Sequence, residues 1–256
     1  MNDCIIRPYK TDDIPVLCDI WQEAFGDEMP LIETFFALLP EMGRGFVAET
    51  GGRVVGMIYF FDTRADEKNV GYAYALAVKK EYRGQGIGST LFKNAVAELP
   101  CELIAILPAE EGLYAWYEKL LGARPALFVK YENIPAGEGD EYREVSAAEY
   151  GKLREKLLEA KTHAVFPESY LRFQEAICKA CGGGMYAGKA GIACGYIEDG
   201  VLQIKEALGS LSFLPALCAD LSASFAVIRK SAPSGESFIT ATGKLPVDCE
   251  WNLALD

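Results

Sequence analysis

Three glycines on alternate positions stand in the run Arg83-Gly84-Gln85-Gly86-Ile87-Gly88-Ser89. Glycine costs backbone entropy in regular structure, so this spacing needs a reason. Either bare backbone comes close to a ligand or the chain turns sharply. An apolar run, Tyr72 to Val78, precedes the glycines, and an amphipathic run from Ser89 to Leu99 follows them. A glycine-rich turn between a strand and a helix start is a phosphate cradle, because the first helical N–H groups are unpaired and carry the positive end of the helix dipole. The dinucleotide fingerprint needs glycines spaced two and then three apart; these are two and two. The P-loop needs Gly-Lys-Ser/Thr, and here Gly88 is followed by Ser89-Thr90. The pattern Gln/Arg-x-x-Gly-x-Gly/Ala fits from Arg83 to Gly88. Its natural ligand is a pyrophosphate, to which Ser89 adds a hydroxyl.

Other reactive side chains are sparse. His163 is the one histidine, which excludes a multi-histidine metal centre. Among the cysteines, Cys178-Lys-Ala-Cys181 is the one close pair, and a single CxxC is weak evidence for zinc or redox work. Cys101 has no histidine near it in sequence to activate it as a nucleophile. No metal is expected.

The 256 residues suffice for one large domain or two ordinary ones, and half are hydrophobic. The formal net charge of −12 disfavours nucleic acid as a partner. The start, MNDCIIRPYK, has no apolar signal core, and no apolar run reaches the ~20 residues that span a bilayer. We therefore expect a cytoplasmic protein with reduced thiols and no membrane partner. A homo-oligomer is compatible with the sequence.

Periodicity supplies the elements that position the loop. A short strand at 4–8 leads to a helix with Ile14, Leu17, Cys18, Trp21 and Phe25 on one face. A second helix, PLIETFFALLP, is expected to close at Pro40. A hairpin turns at Thr50-Gly51-Gly52, and the near-continuously apolar NVGYAYALAV reads as a central strand. After the loop and its helix come a strand (CELIAIL), a helix (EGLYAWYEKLLG) and a strand (PALFVKYEN). The Pro/Gly-rich NIPAGEGDE reads as a linker, set at 135–140, between a first domain at 1–134 and a second at 141–256. The second half restarts with a strand, a helix with a Ser146/Glu149 capping box, another helix, three strands, a helix and strands. It reads as a worn copy of the first half, without a glycine loop.

From about Leu76 to Ser89 the chain resembles the GNAT acetyltransferase superfamily. The carriers are Leu76-Ala77-Val78, four connecting residues KKEY, and RGQGIGS. The resemblance implies an α/β (α+β) GNAT fold, a mixed central sheet with flanking helices, followed here by a second, smaller GNAT-like domain. It implies that Leu76, Ala77 and Val78 pair with the pantetheine arm of acetyl-CoA. The amides of Arg83, Gly84, Gln85, Gly86, Ile87, Gly88 and Ser89 would hold the pyrophosphate, with the thioester beside Tyr72 and Tyr74. It implies an N-acetyltransferase in which a primary amine, on a small molecule or a peptide, attacks the thioester directly in a ternary complex. WYEKLLG is similar to the family's helix with a thiolate-protonating tyrosine, which maps that role to Tyr117, with Tyr114 in reserve. One extra leucine precedes Gly122, and Tyr117 keeps its place if that residue is absorbed after it. The general base stays open among Glu28, Asp62, Glu110 and water alone. Two other readings fit the same loop: a catalytically silent acyl-CoA sensor, and a transferase for longer acyl or aminoacyl donors.

Overall fold

The computed structural model describes residues 4–246 and 248–255. The chain divides into two compact units: residues up to Pro125 with Ile239–Lys244, and Ala126–Phe238 with the residues from Leu245 on.

The first unit runs β1 (Cys4–Pro8), α1 (Ile14–Phe25), α2 (Met29–Met42), β2 (Gly43–Thr50), β3 (Arg53–Ala65), β4 (Lys68–Val78), α3 (Ile87–Ala97), β5 (Leu103–Ile106) and α4 (Gly112–Leu121). The strands lie side by side in chain order. All neighbours are antiparallel except β4 and β5, which are parallel. The β2–β3 hairpin closes on Gly51 and Gly52 at φ +58° and +73°, the left-handed pair that matches the twist of two-residue hairpins.

Side-chain alternation on β3 sends Ile58 and Phe60 to one face and Tyr59 and Phe61 to the other. The first face packs with Leu91, Phe92 and Ala95 of α3, Ile104 and Ile106 of β5, and Tyr117 of α4. The second carries an aromatic cluster: the Trp21 ring lies 4.6 Å from Phe35 and 5.9 Å from Tyr59, and Phe61 lies 5.9 Å from Tyr72. With both faces covered, the central strands have to be apolar throughout.

α2 differs from expectation. It continues through Pro40 to Met42. The proline forfeits one bond in the last turn, and complete burial of Leu39 and Met42 on either side of it holds the helix together.

The second unit contains β6 (Arg124–Pro135), β7 (Tyr142–Glu144), α5 (Ala147–Leu158), β8 (Ala164–Val165), α6 (Glu168–Ala180), β9 (Gly184–Gly188), β10 (Gly191–Glu198), β11 (Val201–Gly209), α7 (Leu214–Asp220) and β12 (Phe225–Ala232). Its strand order is β7-β9-β10-β11-β12-β6, again with one parallel pair, β11 and β12. From β7 to β12 the sequence of strands, helices and pairings repeats that from β1 to β5, apart from the two-residue β8. The Ser146 hydroxyl accepts from the Glu149 N–H at 3.3 Å, as a cap should, but the Glu149 carboxylate turns to Arg143 instead of completing the box.

The packing boundary falls at Pro125/Ala126, earlier than the linker expected at 135–140, and the reason is strand exchange. β6 pairs along its length with β12, from Phe128↔Ala232 to Pro135↔Phe225. The segment after it is pinned too: the Gly137 N–H donates to Pro215 O at 3.0 Å and the Asp140 N–H to Ser212 O at 3.1 Å. In return, β13 (Glu236–Ala241) sends Thr240 and Ala241 back to pair with Ile106 and Ala105 of β5. The tail beyond is not a strand. Trp251, Leu253, Ala254 and Leu255 are buried in the second unit, where Tyr170 donates to Leu253 O (2.5 Å) and Arg229 to Asn252 O (2.5 Å).

Candidate functional site

β4 and β5 part company half-way. Their pairing runs from Val70↔Leu103 to Ala73↔Ile106, and β4 then continues alone on that side to Val78. A bulge sits where they part. Tyr59 pairs with Tyr74 and Met57 with Ala77, so two residues of β4 face Ile58. One of them, Ala75, is held at φ +49°, the left-handed region that non-glycine residues rarely occupy. Nothing in the sequence around Ala75 signals this; it follows from the register of two strands.

The three residues expected to face a pantetheine arm do not present their backbones alike. The Lys79 N–H donates to Val55 O at 2.9 Å, which makes Met57↔Ala77 a hydrogen-bonded pair. The N–H and C=O of Ala77 therefore point to β3. Trans peptide planes turn the Leu76 carbonyl and the Val78 N–H to the open side. Ala77 contributes no backbone group there, which corrects its expected role. The Val78 carbonyl already accepts from Arg83 Nε at 2.8 Å.

That bond begins the loop. Glu23 of α1 anchors it from below, accepting from the Lys80 N–H at 2.5 Å and lying 3.7 Å from Arg83 Nη2. The Arg83 N–H is engaged by Lys80 O at 3.3 Å, so the row of available amides starts at Gly84 and not at Arg83. Gly84 and Gly86 sit at φ +75° and +80°, and a Cβ on either would meet no atom within 4 Å. The space over the loop is open. The first helical amide with a backbone acceptor is that of Thr90, on Gly86 O at 3.0 Å. The N–H groups from Gly84 to Ser89 have no acceptor among the described residues. This is a concave run of donors at the positive end of an eleven-residue helix. A diphosphate fits it by donor chemistry and by room. A Cβ built on Gly88 would make only an ordinary contact, 3.6 Å from Val78 Cγ2.

Tyr117 projects from α4 into the core shared by Leu76, Val78 and Ile87. Its ring stands edge-on to Phe92 at 5.7 Å. Burial pushes its phenol up to about 12, with no charged neighbour contributing. A phenol is protonated at neutral pH in any case, and burial makes this one a weaker acid than a free tyrosine. α4 ends after Leu121, with Gly122 left-handed and its N–H on Glu118 O, so the extra leucine is absorbed after Tyr117. Tyr114 is half-buried one turn earlier.

The three carboxylates expected as candidate bases are surface groups. Glu28 and Glu110 are exposed, and their carbonyls start α2 and α4. Asp62 forms a surface ion pair with Arg44 at 3.2 Å. Burial raises the Cys101 thiol, which disfavours the nucleophilic thiolate. Cys178 faces Cys194, Sγ to Sγ 3.6 Å, rather than Cys181. His163 bridges Lys161 O and Glu155.

The second unit keeps the splay but not the cradle. β11 pairs with β12 only from Leu202 to Ile204 and runs on to Gly209. Gly209 is there for contact, since a Cβ would lie 2.2 Å from Ala190 O. The start of α7 is covered by Gly137 and Asp140.

Comparison with known proteins bears on the first unit. The profile of the Acetyltransferase (GNAT) family matches residues 14–123, from α1 to the end of α4. This stretch is similar to the GNAT family. An uncharacterized N-acetyltransferase of Methanocaldococcus jannaschii is 42% identical over 92 residues, 35% of this chain and 55% of that protein. The chain thus spans about half the length of that relative. Solved GNAT structures extend the likeness in fold to the second unit. A GCN5-related N-acetyltransferase of Anabaena variabilis superposes with TM-score 0.69 at 13% identity, covering 93% of this chain and 72% of its own. One from Kribbella flavida gives 0.66 at 18%, covering 93% and 71%. The first unit holds the splayed strand and the glycine loop; the second repeats the topology without the loop.

Proposed function

We propose that the chain is an acetyl-CoA-dependent N-acetyltransferase that moves an acetyl group to a primary amine by direct attack in a ternary complex. The observation that carries this is the row of acceptor-free amides from Gly84 to Ser89 at the end of a strand splayed from its neighbour. Bound there, acetyl-CoA would supply the activated acetyl group. The chain's own work is positional. The loop amides hold the diphosphate, while the Leu76 carbonyl and Val78 N–H align the pantetheine arm. Tyr117, protonated at neutral pH like any phenol, donates its proton to the departing sulfur. No carboxylate is assigned as base; an amine arriving neutral needs only water. The eight free cysteines suit a reducing, cytoplasmic setting.

The test is thiol release from acetyl-CoA against a panel of small and peptide amines, alongside calorimetric titration with CoA. Turnover with at least one amine is expected. CoA binding without turnover on any amine would favour the sensor reading, and absence of both would end the proposal.

A further inference from the structure

The fold separates the two cysteines of the CxxC pair. Cys181 follows the last residue of α6 and is exposed. Cys178 lies one turn earlier, wholly buried, and its sulfur stands 3.6 Å from that of Cys194, sixteen residues on in β10. Alternation along β10 explains the meeting. Ala193 joins the core around α7, so Cys194 points to the opposite face, where α6 packs. The end of α6 is fastened there by backbone: the Ile197 N–H of β10 donates to Cys181 O at 3.0 Å, and the Gly183 N–H to Cys178 O at 2.8 Å.

The two sulfurs are not equivalent. Gln174, buried one turn back on α6, donates its side-chain amide to Cys178 Sγ at 3.6 Å. Donation from the Cys194 thiol and from Gln174 pulls the Cys178 thiol down in spite of its burial, whereas Cys194, as the donor, is pushed well up. Cys18 and Cys218 are buried too, and burial pushes both of those thiols up. Cys178 is therefore set apart from them by its neighbours. It carries the thiolate character that makes a sulfur nucleophilic, and a second thiol lies in contact with it.

We propose that Cys178 and Cys194 form an oxidisable dithiol that reacts with a hydroperoxide and closes to a disulfide tying α6 to β10. The Cys178 thiolate attacks the O–O bond of hydrogen peroxide, which leaves a sulfenic acid and releases water. The Cys194 sulfur attacks the sulfenic sulfur, a second water departs and the S–S bond forms. Two thiols together lose two electrons, and one peroxide is reduced to two waters. Closure brings the sulfurs from 3.6 Å to the ~2 Å of a disulfide. The oxidant enters by fraying of the last turn of α6, which ends at exposed Cys181 and Gly182. The site lies in the second unit and is independent of the reading of the glycine loop.

The test treats the full chain with hydrogen peroxide, alkylates the remaining thiols after denaturation and maps cross-linked peptides by mass spectrometry. The dominant link should join Cys178 to Cys194, with two fewer alkylated thiols than the eight of the reduced chain. Because the bridge closes a segment of sixteen residues, melting by circular dichroism should rise by roughly 6–12 °C, and dithiothreitol should reverse the rise. Cys181→Ser should keep both the link and the rise. Cys178→Ala and Cys194→Ala should each abolish the rise. A dominant link between any other pair, Cys178–Cys181 included, overturns the proposal, as do eight thiols still free after peroxide; both outcomes are read on wild type and need no variant to fold. A rise that survives in both alanine variants overturns it as well.

Discussion

Gly86 is the position where the loop can be tested with least ambiguity. It caps α3 at φ +80°, and no atom lies within 4 Å of a Cβ built on it. Gly86→Leu therefore meets no steric clash in the protein. Its stability cost is the left-handed backbone, ~1–2 kcal/mol for an L residue. At ~2–4 °C per kcal/mol for a chain of this size, melting should fall by roughly 2–8 °C. The side chain instead fills the space that the amides of residues 86–88 face. Losing two charge-assisted hydrogen bonds at ~1.5–3 kcal/mol each amounts to ~3–6 kcal/mol. That is a drop in CoA affinity of about 10²- to 10⁴-fold. Gly86→Asn is the control: asparagine tolerates the left-handed region, so most of the stability should return while binding stays impaired. Calorimetric titration with CoA and circular dichroism melting read the two quantities separately. If Gly86→Leu melts as expected yet binds CoA within about threefold of wild type, the amides do not face the ligand and the reasoning fails.

Tyr117→Phe should lower kcat at least tenfold with little change in CoA affinity, since it removes a proton donor and leaves the apolar ring; unaltered turnover would move the acid elsewhere. The same phenol should shape alkaline stability. Its folded value of about 12 lies above the ordinary 10.0, so its contribution is fully present below pH 10 and is lost between pH 10 and 12. Two pH units correspond to about 2.7 kcal/mol, and urea midpoints from pH 9 to 11 should fall less steeply in Tyr117→Phe than in wild type; parallel slopes would refute this. In the second unit, Glu206 is fully buried and accepts from Arg154 Nε (3.0 Å) and the Tyr150 hydroxyl (3.0 Å). Glu206→Gln leaves the buried guanidinium only its ion pair with the exposed Glu155 (3.0 Å) and the Ala164 carbonyl, and should cost about 3 kcal/mol by denaturant titration; a loss below about 1 kcal/mol would show that Glu155 alone compensates the charge.

The loop was legible because it is local. Alternate glycines before an amphipathic run dictate a left-handed turn and open amides whatever surrounds them, and the structure places Gly84, Gly86 and the start of α3 accordingly. The burial of Tyr117 on α4 was legible for a related reason, as helix periodicity sets it on the apolar face; its role as proton donor remains a proposal. The bulge at Ala75 was not, because alanine carries no preference for φ +49° and only the β3–β4 register imposes it. Nor were the differing roles of Leu76, Ala77 and Val78, which depend on which face of β4 finds β3. Pro40 misled in the same way: the helix outlasts it because tertiary burial of Leu39 and Met42 outweighs one missing bond.

The order of elements, their repetition in the second half and the cradle itself belong to the sequence, since each follows from backbone preference or side-chain periodicity over a few residues. The partner of each strand does not. Nothing in the composition of β6 or of residues 240–241 of β13 names the strand each pairs with. Long-range pairing gave β6 to β12 and Thr240-Ala241 to β5, because hydrogen-bond ladders are satisfied across space and carry no mark in the local chain.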